Sequence, residues 1–373
     1  MKKKIRLSKP CIENKAAVLN SASKILETGF LAQGKYVSLF ESHVATYLDV
    51  KHAIAVSSGT AAIHLSLIAT GIKSGDEVIV PAYTFPATAN VVELLNAKPV
   101  FVDVELDTCN ISTDQIEKHL TSRTKAIIPV HLFGNPANMD EILSIAKKYN
   151  LRVIEDAAGA FGSIYKGKQC GTIGDAGCFS WHPRKLITTG EGGMVVTNDD
   201  KIAELIYMLR SHGMRKNGPH FDLILPGFNY RMNELEAILG LAQIKRIKRI
   251  LKERQKLAKF YSNELQNIKK ITTQKVYPGC INSWQAFVIR FLTKVSRDFI
   301  IKKFQQFNIE TNIGTYALHL LTYYASKYKF KPSSYPNAQS LYFSNIAIPF
   351  YNGMKDNDVR IVVKTLKGLL HEI

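Results

Sequence analysis

The sequence predicts an α/β protein in two domains: a large one with helices on both faces of a sheet, and a smaller α+β one at the C-terminal end. Two observations carry this. From Ala53 to Glu155, short runs rich in Val and Ile alternate with helix-length stretches, the pattern of successive βαβ units. At 373 residues the chain also exceeds what one hydrophobic core ordinarily organises.

Taken in order, a helix is expected over Ala16–Thr28, an irregular segment over Phe30–Tyr36 and a helix over Val37–Leu48. Ala53–Val56 reads as a strand, Ser57–Gly71 as a glycine turn entering an apolar helix, and Glu77–Pro81 as the next strand. Helix Thr84–Asn96, strand Pro99–Val104, helix Thr113–Leu120, strand Lys125–Val130, helix Met139–Lys148 and strand Leu151–Glu155 follow. Beyond a long helix over Glu234–Gln266, the smaller domain reads as strand Trp284–Phe291, helix Arg297–Phe307 and helix Asp356–Leu370. The expected division is 15–240 for the large domain and 241–373 for the small one, with segment 1–14 packing nearby.

Composition narrows the function classes. With 46% hydrophobic and 21% charged residues the chain reads as an ordinary soluble protein. No apolar run reaches the length of a membrane span, and the basic start MKKKIRLSKP is not followed by an apolar signal core, so a cytoplasmic protein is expected. The five cysteines are scattered without a CxxC pair, which predicts neither a disulfide framework nor a metal site. The net charge of +18 attracts polyanions in general. Much of it lies in QIKRIKRILKERQKLAK, where Ile244, Ile247, Leu251, Ala258 and Tyr261 recur at helical spacing, so a solvated basic helix face explains it. No nucleic-acid-binding motif accompanies it, and nucleic acid is not an expected partner.

The segment from Gly174 to Gly193, GDAGCFSWHPRKLITTGEGG, puts Lys185 between a β-like run and a glycine-rich turn. A loop lysine is ordinarily solvated and protonated; one held in a crowded, partly desolvated site can lose its proton and act as a nucleophile. Three features fall at the carboxyl ends of expected strands, where open α/β sheets bind ligands. In SSGTAA, Gly59 permits a tight turn, and the free amides of Thr60 and Ala61 would face a phosphate, or the segment is simply a capped helix start. Phe85 in PAYTFPAT is either one wall of a planar cofactor's slot or packing. Asp156 closes an apolar strand, where a carboxylate needs a cation or donor unless it caps a following helix.

The ordered set SSGTAAIHLSL, GDEVIVPAYTFPATAN, PVFVDVELDTCNI, EDAA, GDAGCFSWHPRKLITTGEGGMVVTND and GFNYRMNELEA resembles the DegT family of sugar aminotransferases, fold-type I pyridoxal-phosphate enzymes. The resemblance spans nearly the whole chain. It implies a mixed, mostly parallel seven-stranded sheet in the large domain. It also implies that Lys185 forms the Schiff base with pyridoxal 5'-phosphate, Asp156 pairs with the pyridine nitrogen, Phe85 stacks on the ring, and Gly59, Thr60 and Ser180 hold the phosphate. Asn229 would reach the cofactor phosphate of a neighbouring subunit and Arg231 a substrate phosphate, which implies a homodimer with shared sites. Tyr316 and His319, in the segment Ile309–Tyr324, are the residues there expected to meet substrate; the leucines around them read as core.

The implied reaction moves an amino group from L-glutamate to a nucleotide-linked keto-sugar for polysaccharide or glycan synthesis, and ITTGEGG resembles members acting at C4. The basic charge would then help capture such a substrate, or be only a basic surface. One residue departs from the pattern: Gly159 follows EDAA where Gln, His or Glu is common. A dehydratase of the same fold carries histidine in place of the lysine, so Lys185 speaks against that reaction; the complete cofactor set speaks against a non-catalytic regulator.

Overall fold

The computed structural model of the chain describes residues 4–371, so the first three residues of segment 1–14 lie outside it. The large sheet has seven strands: β1 (His52–Val56), β2 (Glu77–Pro81), β3 (Lys98–Val102), β4 (Thr124–Ile127), β5 (Arg152–Asp156), β6 (Ala176–Ser180) and β7 (Gly193–Thr197), in the order β1-β7-β6-β5-β4-β2-β3. All neighbours are parallel except β7, which runs against both β1 and β6. The sheet is mixed and mostly parallel, as expected.

Why these runs are near-continuously apolar is plain from their packing. In β2, Val78 and Val80 enter one apolar cluster and Ile79 enters another; in β1, Ile54 and Val56 part from Ala53 and Ala55 in the same way. Successive side chains leave a strand on opposite faces, and both faces are covered by helices, so both sets must be apolar. The helix Gly59–Ala69 is apolar nearly all round and is packed between sheet and neighbours, with Ala62, Leu65 and Leu67 wholly inaccessible.

Several boundaries differ from expectation. Tyr83–Thr84 is extended and pairs with Tyr316–Ala317, so the next helix begins only at Ala87, after Pro86, whose ring suits a helix start. The stretch Thr113–Leu120 is a single helical turn, Thr113–Ile116, followed by a 3-10 turn, Glu117–His119. The long helix Glu234–Gln266 is two helices, Glu234–Ile244 and Ile247–Leu265, parted where Arg246 leaves helical geometry with φ −114° and ψ 9°. Strand β7, the helix Asp200–Leu209 and the hairpin of Met214–Asn217 with His220–Leu223 were not anticipated.

A second sheet, β8 (Ile271–Thr273), β9 (Phe287–Phe291), β10 (Asn312–Ile313) and β11 (Asn345–Ile348), is antiparallel in the order β8-β9-β11-β10. It shares a separate core with Tyr261, Phe304 and Val359 from the helices Ile247–Leu265, Arg297–Gln306 and Asp356–His371. Ile5 is tied to this part by backbone bonds to Asn308 and Glu310, both 2.9 Å.

One buried carboxylate anchors the sheet's carboxyl edge. Glu155 is wholly inaccessible and accepts from the amides of Gly171, Ile173 and Gly174 at 2.6–2.7 Å and from His131 Nε2 at 2.8 Å. His131 Nδ1 accepts from the Ala137 amide, which leaves the proton on Nε2 for Glu155. Truncating Glu155 to alanine strands these donors, and a loss of about 3–5 kcal/mol in urea unfolding is expected.

Candidate active site

A cavity of about 310 Å³ opens at the carboxyl ends of β1, β5 and β6. Its lining joins Ser58, Gly59 and Thr60 from the turn after β1, Phe85 from the segment after β2, Asp156 at the end of β5, and Ser180 and Lys185 from β6 and the turn beyond it. Residues far apart in the chain thus meet at one point, because the parallel strands all end there.

At one end of the cavity lies the start of the helix Gly59–Ala69. Ser58 caps it, its Oγ accepting from the Ala61 amide at 3.0 Å. That corrects one expectation: Ala61 is already satisfied, and the amides left for a ligand are those of Gly59 and Thr60. Glycine at 59 is dictated by space, since a Cβ there would lie 2.8 Å from Cβ of Ser180. Two amides without a partner among the described residues, the positive end of the helix dipole and the hydroxyls of Thr60 and Ser180 make a seat for a phosphate.

At the other end, Asp156 is 5% exposed. One carboxylate oxygen accepts from Thr88 Oγ at 2.7 Å and the other from the Ala158 amide at 3.1 Å. No helix follows Asp156, so it is not a helix cap. Thr88, itself wholly buried and in contact with Thr84 Oγ at 3.2 Å, was missed by sequence reasoning; an apolar helix start gave no sign of it. Thr88→Val removes a hydrogen bond to a charged group, for which about 1.5–3 kcal/mol is typical, and a fall of about tenfold in turnover is expected from steady-state kinetics.

Lys185 sits in a turn, its amide bonded to the His182 carbonyl at 2.8 Å. Burial pulls its ammonium below the usual lysine range; the Asp156 charge opposes this and the Arg184 charge adds to it. Phe85 is 61% exposed, its ring edge-on to that of Tyr316 at 6.2 Å between centroids. An aromatic ring left open beside a cavity is free to cover a planar ligand. His182, Glu191, Arg184 and Gln285 also line the cavity, and sequence reasoning singled out none of them.

The remaining expected residues divide. Tyr316 lines an adjoining cavity of about 150 Å³. Asn229 is exposed, paired through its backbone with Ser211, and Arg231 Nη1 donates to Ser211 Oγ at 3.1 Å; neither lines the Lys185 cavity of its own chain. His319 requires correction. It is 1% exposed, donates from Nε2 to the Pro332 carbonyl at 3.0 Å and lies edge-on to Tyr335, lining neither cavity. Its neighbour Leu318 is core, as read, and the apolar packing of that turn carries the histidine inward with it.

A polar seat for a phosphate, an open ring wall, an oriented carboxylate and a desolvated amine in one cavity fit pyridoxal phosphate. Gly59, Thr60 and Ser180 would hold its phosphate, Phe85 its ring, Asp156 its ring nitrogen and Lys185 its aldehyde carbon. Among the described residues no group of acidic, cysteine or histidine side chains is arranged to hold a metal ion, and no helix is long and apolar enough to cross a membrane.

Comparison with known proteins gives the same direction. The chain is 38% identical over 340 residues to a GDP-perosamine synthase of Caulobacter vibrioides, covering 90% of this chain and 91% of that protein. Helicobacter pylori PseC, an aminotransferase involved in the biosynthesis of pseudoaminic acid, matches with a TM-score of 0.92 at 28% identity over 100% of both chains. A Streptococcus pneumoniae protein, Spr1654, solved in its PLP form, matches with a TM-score of 0.92 at 27% identity over 99% of both. A model of the DegT/DnrJ/EryC1/StrS aminotransferase family covers residues 13–367, and the chain is therefore an enzyme of that family.

Proposed function

We propose that the enzyme transfers an amino group from L-glutamate to a nucleotide-linked keto-sugar, of the 4-keto-6-deoxy class, with pyridoxal 5'-phosphate seated in the Lys185 cavity. The aminosugar would serve polysaccharide or glycan synthesis in the cytoplasm. The observation that carries this reading is the placement of a desolvated lysine amine in one cavity with Asp156 and the open helix start at Gly59.

Bound pyridoxal phosphate supplies an electron sink for the carbanion formed when a substrate carbon loses its proton. The chain's own groups do the rest. Asp156, fixed by Thr88 and Ala158, holds a proton on the ring nitrogen by charge pairing. Lys185 Nζ, eased toward its neutral form by burial, takes the proton from the donor's α-carbon and delivers one to the sugar carbon in the return half. The amides of Gly59 and Thr60 fix the phosphate and so the tilt of the ring.

Asn229 and Arg231 lie outside their own chain's cavity, which supports a homodimer in which they serve the partner's site. The exposed Phe221 and Leu223 of the Met214–Leu223 hairpin favour the same reading, since large exposed apolar side chains mark contact surfaces. Sedimentation at micromolar concentration should give a dimer.

The test is direct. After incubation with pyridoxal phosphate, the protein should absorb at roughly 400–430 nm, and borohydride should fix the label on the Lys185 peptide. Glutamate and a nucleotide 4-keto-6-deoxyhexose should yield 2-oxoglutarate and aminosugar in equal amounts. Ammonia or a deoxygenated sugar in their place would mean a dehydratase.

A further inference from the structure

The Lys185 cavity and the adjoining one share a collar: Phe85, Phe133, Arg184, Gln285, Gly314 and Thr315 line both. A substrate whose carbonyl reaches Lys185 and whose remainder extends into the second cavity must pass that collar. Half of the collar, Phe85, Phe133 and Gly314, offers no polar side chain; Arg184, Thr315 and Gln285 do. Gln285 supplies its carboxamide.

The position of that carboxamide is closely held. The Gln285 amide donates to the Phe133 carbonyl at 3.0 Å, and its carbonyl accepts from Arg254 Nη1 at 3.2 Å. Arg254 is buried and held by neutral acceptors, the Trp284 carbonyl at 2.6 Å and Asn352 Oδ1 at 2.9 Å, so it is a fixed post. Trp284, immediately before, adopts a left-handed φ of 54°. At the side-chain end, Gln285 Nε2 donates to the Arg184 carbonyl at 3.0 Å. That bond fixes which way the amide faces: the nitrogen is engaged and Oε1 is left over.

Oε1 lies over Gly159. A Cβ built on Gly159 would stand 3.3 Å from it and 3.5 Å from Cγ of Gln285. The missing side chain at 159 therefore makes the room that Gln285 occupies from the bend leading into β9. Among the described residues Oε1 has no hydrogen-bond donor, although it stands on the wall of a cavity beside a lysine already desolvated by burial.

We propose that Gln285 is a specificity-determining residue for the sugar, its Oε1 accepting a hydrogen bond from a hydroxyl of the keto-hexose as it spans the collar. This rests on the reading of the enzyme as a nucleotide-sugar aminotransferase. A fixed acceptor discriminates, because a sugar without a donor at that point leaves Oε1 unpaired on desolvation.

The experiment uses the full-length, cofactor-loaded enzyme with GDP- and dTDP-linked 4-keto-6-deoxyhexoses as probes. Gln285→Leu keeps the bulk and removes the acceptor. KM for the accepted probe should rise about tenfold, the effect of one hydrogen bond, and calorimetric binding of that probe should weaken alike. The glutamate half-reaction, followed by loss of the visible band, should lose clearly less than sugar binding does. In the double variant Gly159→Gln with Gln285→Ala, a carboxamide is returned from the opposite side of the same space, and part of the affinity should return. Single Gly159→Gln crowds Gln285 and should weaken sugar binding.

Unchanged probe binding in Gln285→Leu overturns the proposal, as does an equal loss in both half-reactions, which would mean that the residue only supports the fold. The broader reading fails differently: the parent enzyme would then bind neither probe, or bind one without forming 2-oxoglutarate from glutamate.

Discussion

Alanine in place of Lys185 lowers the rate of both half-reactions by at least about 10³-fold. The same amine removes the proton in one direction and returns it in the other, so no choice of donor or sugar should spare the variant, and raising the pH should not rescue it. Rapid-mixing measurement of each half-reaction separately checks this. A variant slowed in only one half would show that a second base, with His182 and Glu191 as candidates in the cavity lining, carries the other.

The same lysine carries a cost to stability whose sign follows from its surroundings. Burial disfavours the ammonium, so its pKa in the folded chain lies below the ordinary 10.5. The folded protein thus binds this proton less tightly than the unfolded one, and the site's contribution to stability rises with pH between the folded value and 10.5. Below the folded value the penalty is constant and complete. Lys185→Met, which keeps the length without the charge, should therefore make the unliganded protein more resistant to urea at pH 7, with the gain shrinking toward pH 10. A variant less stable than the parent at pH 7 would contradict the burial argument.

Asp156→Asn is the second large effect. The substitution keeps the shape and an acceptor for Thr88 while removing the charge, and turnover should fall about 10²–10³-fold, the usual loss when a preorganised electrostatic group is taken from a closed site. Sugar binding should change much less, because the collar is untouched. The pH dependence should move as well. The Asp156 charge holds the Lys185 ammonium up against burial, so without it the amine titrates lower, and labelling of Lys185 in the unliganded protein should extend to more acidic pH. A KM effect that outweighed the effect on turnover would move Asp156 from the chemistry to substrate capture.

Much of this was legible in the chain. The strands around Val78–Val80 and Val153–Ile154 announce themselves because both faces of a parallel sheet are covered and every position must be apolar. Lys185, Asp156, Gly59 and Phe85 stand at strand ends in an order that carries the family resemblance. What was illegible depended on contacts between distant segments. Nothing local to Thr88 says that Asp156 will lie 2.7 Å away, and nothing local to Gln285 says that Gly159 will leave it room. The reversed strand β7 opens on Gly193 directly after the turn glycines Gly190 and Gly192, so its apolar run passes for a loop edge. The apolar period of Glu234–Gln266 continues across Lys245 and Arg246, which hid the break between two helices. His319 misled for the opposite reason: a polar residue among leucines invites a functional reading, yet a backbone carbonyl satisfies its Nε2 within the core.

Strand β7 has a consequence for how the protein is made and kept. It lies between β1 and β6 and starts at Gly193, where a Cβ would stand 2.2 Å from the Ser58 carbonyl oxygen. The phosphate seat, with Gly59 on one side and Ser180 on the other, exists only once this last strand has threaded between two that were synthesised before it. A nascent chain or a partly unfolded one therefore has no seat at all, and the cofactor distinguishes complete sheets from incomplete ones. Ligand that binds only the finished state raises its population by mass action, so loss of a ligand from this seat would lower the population of complete sheets along with turnover.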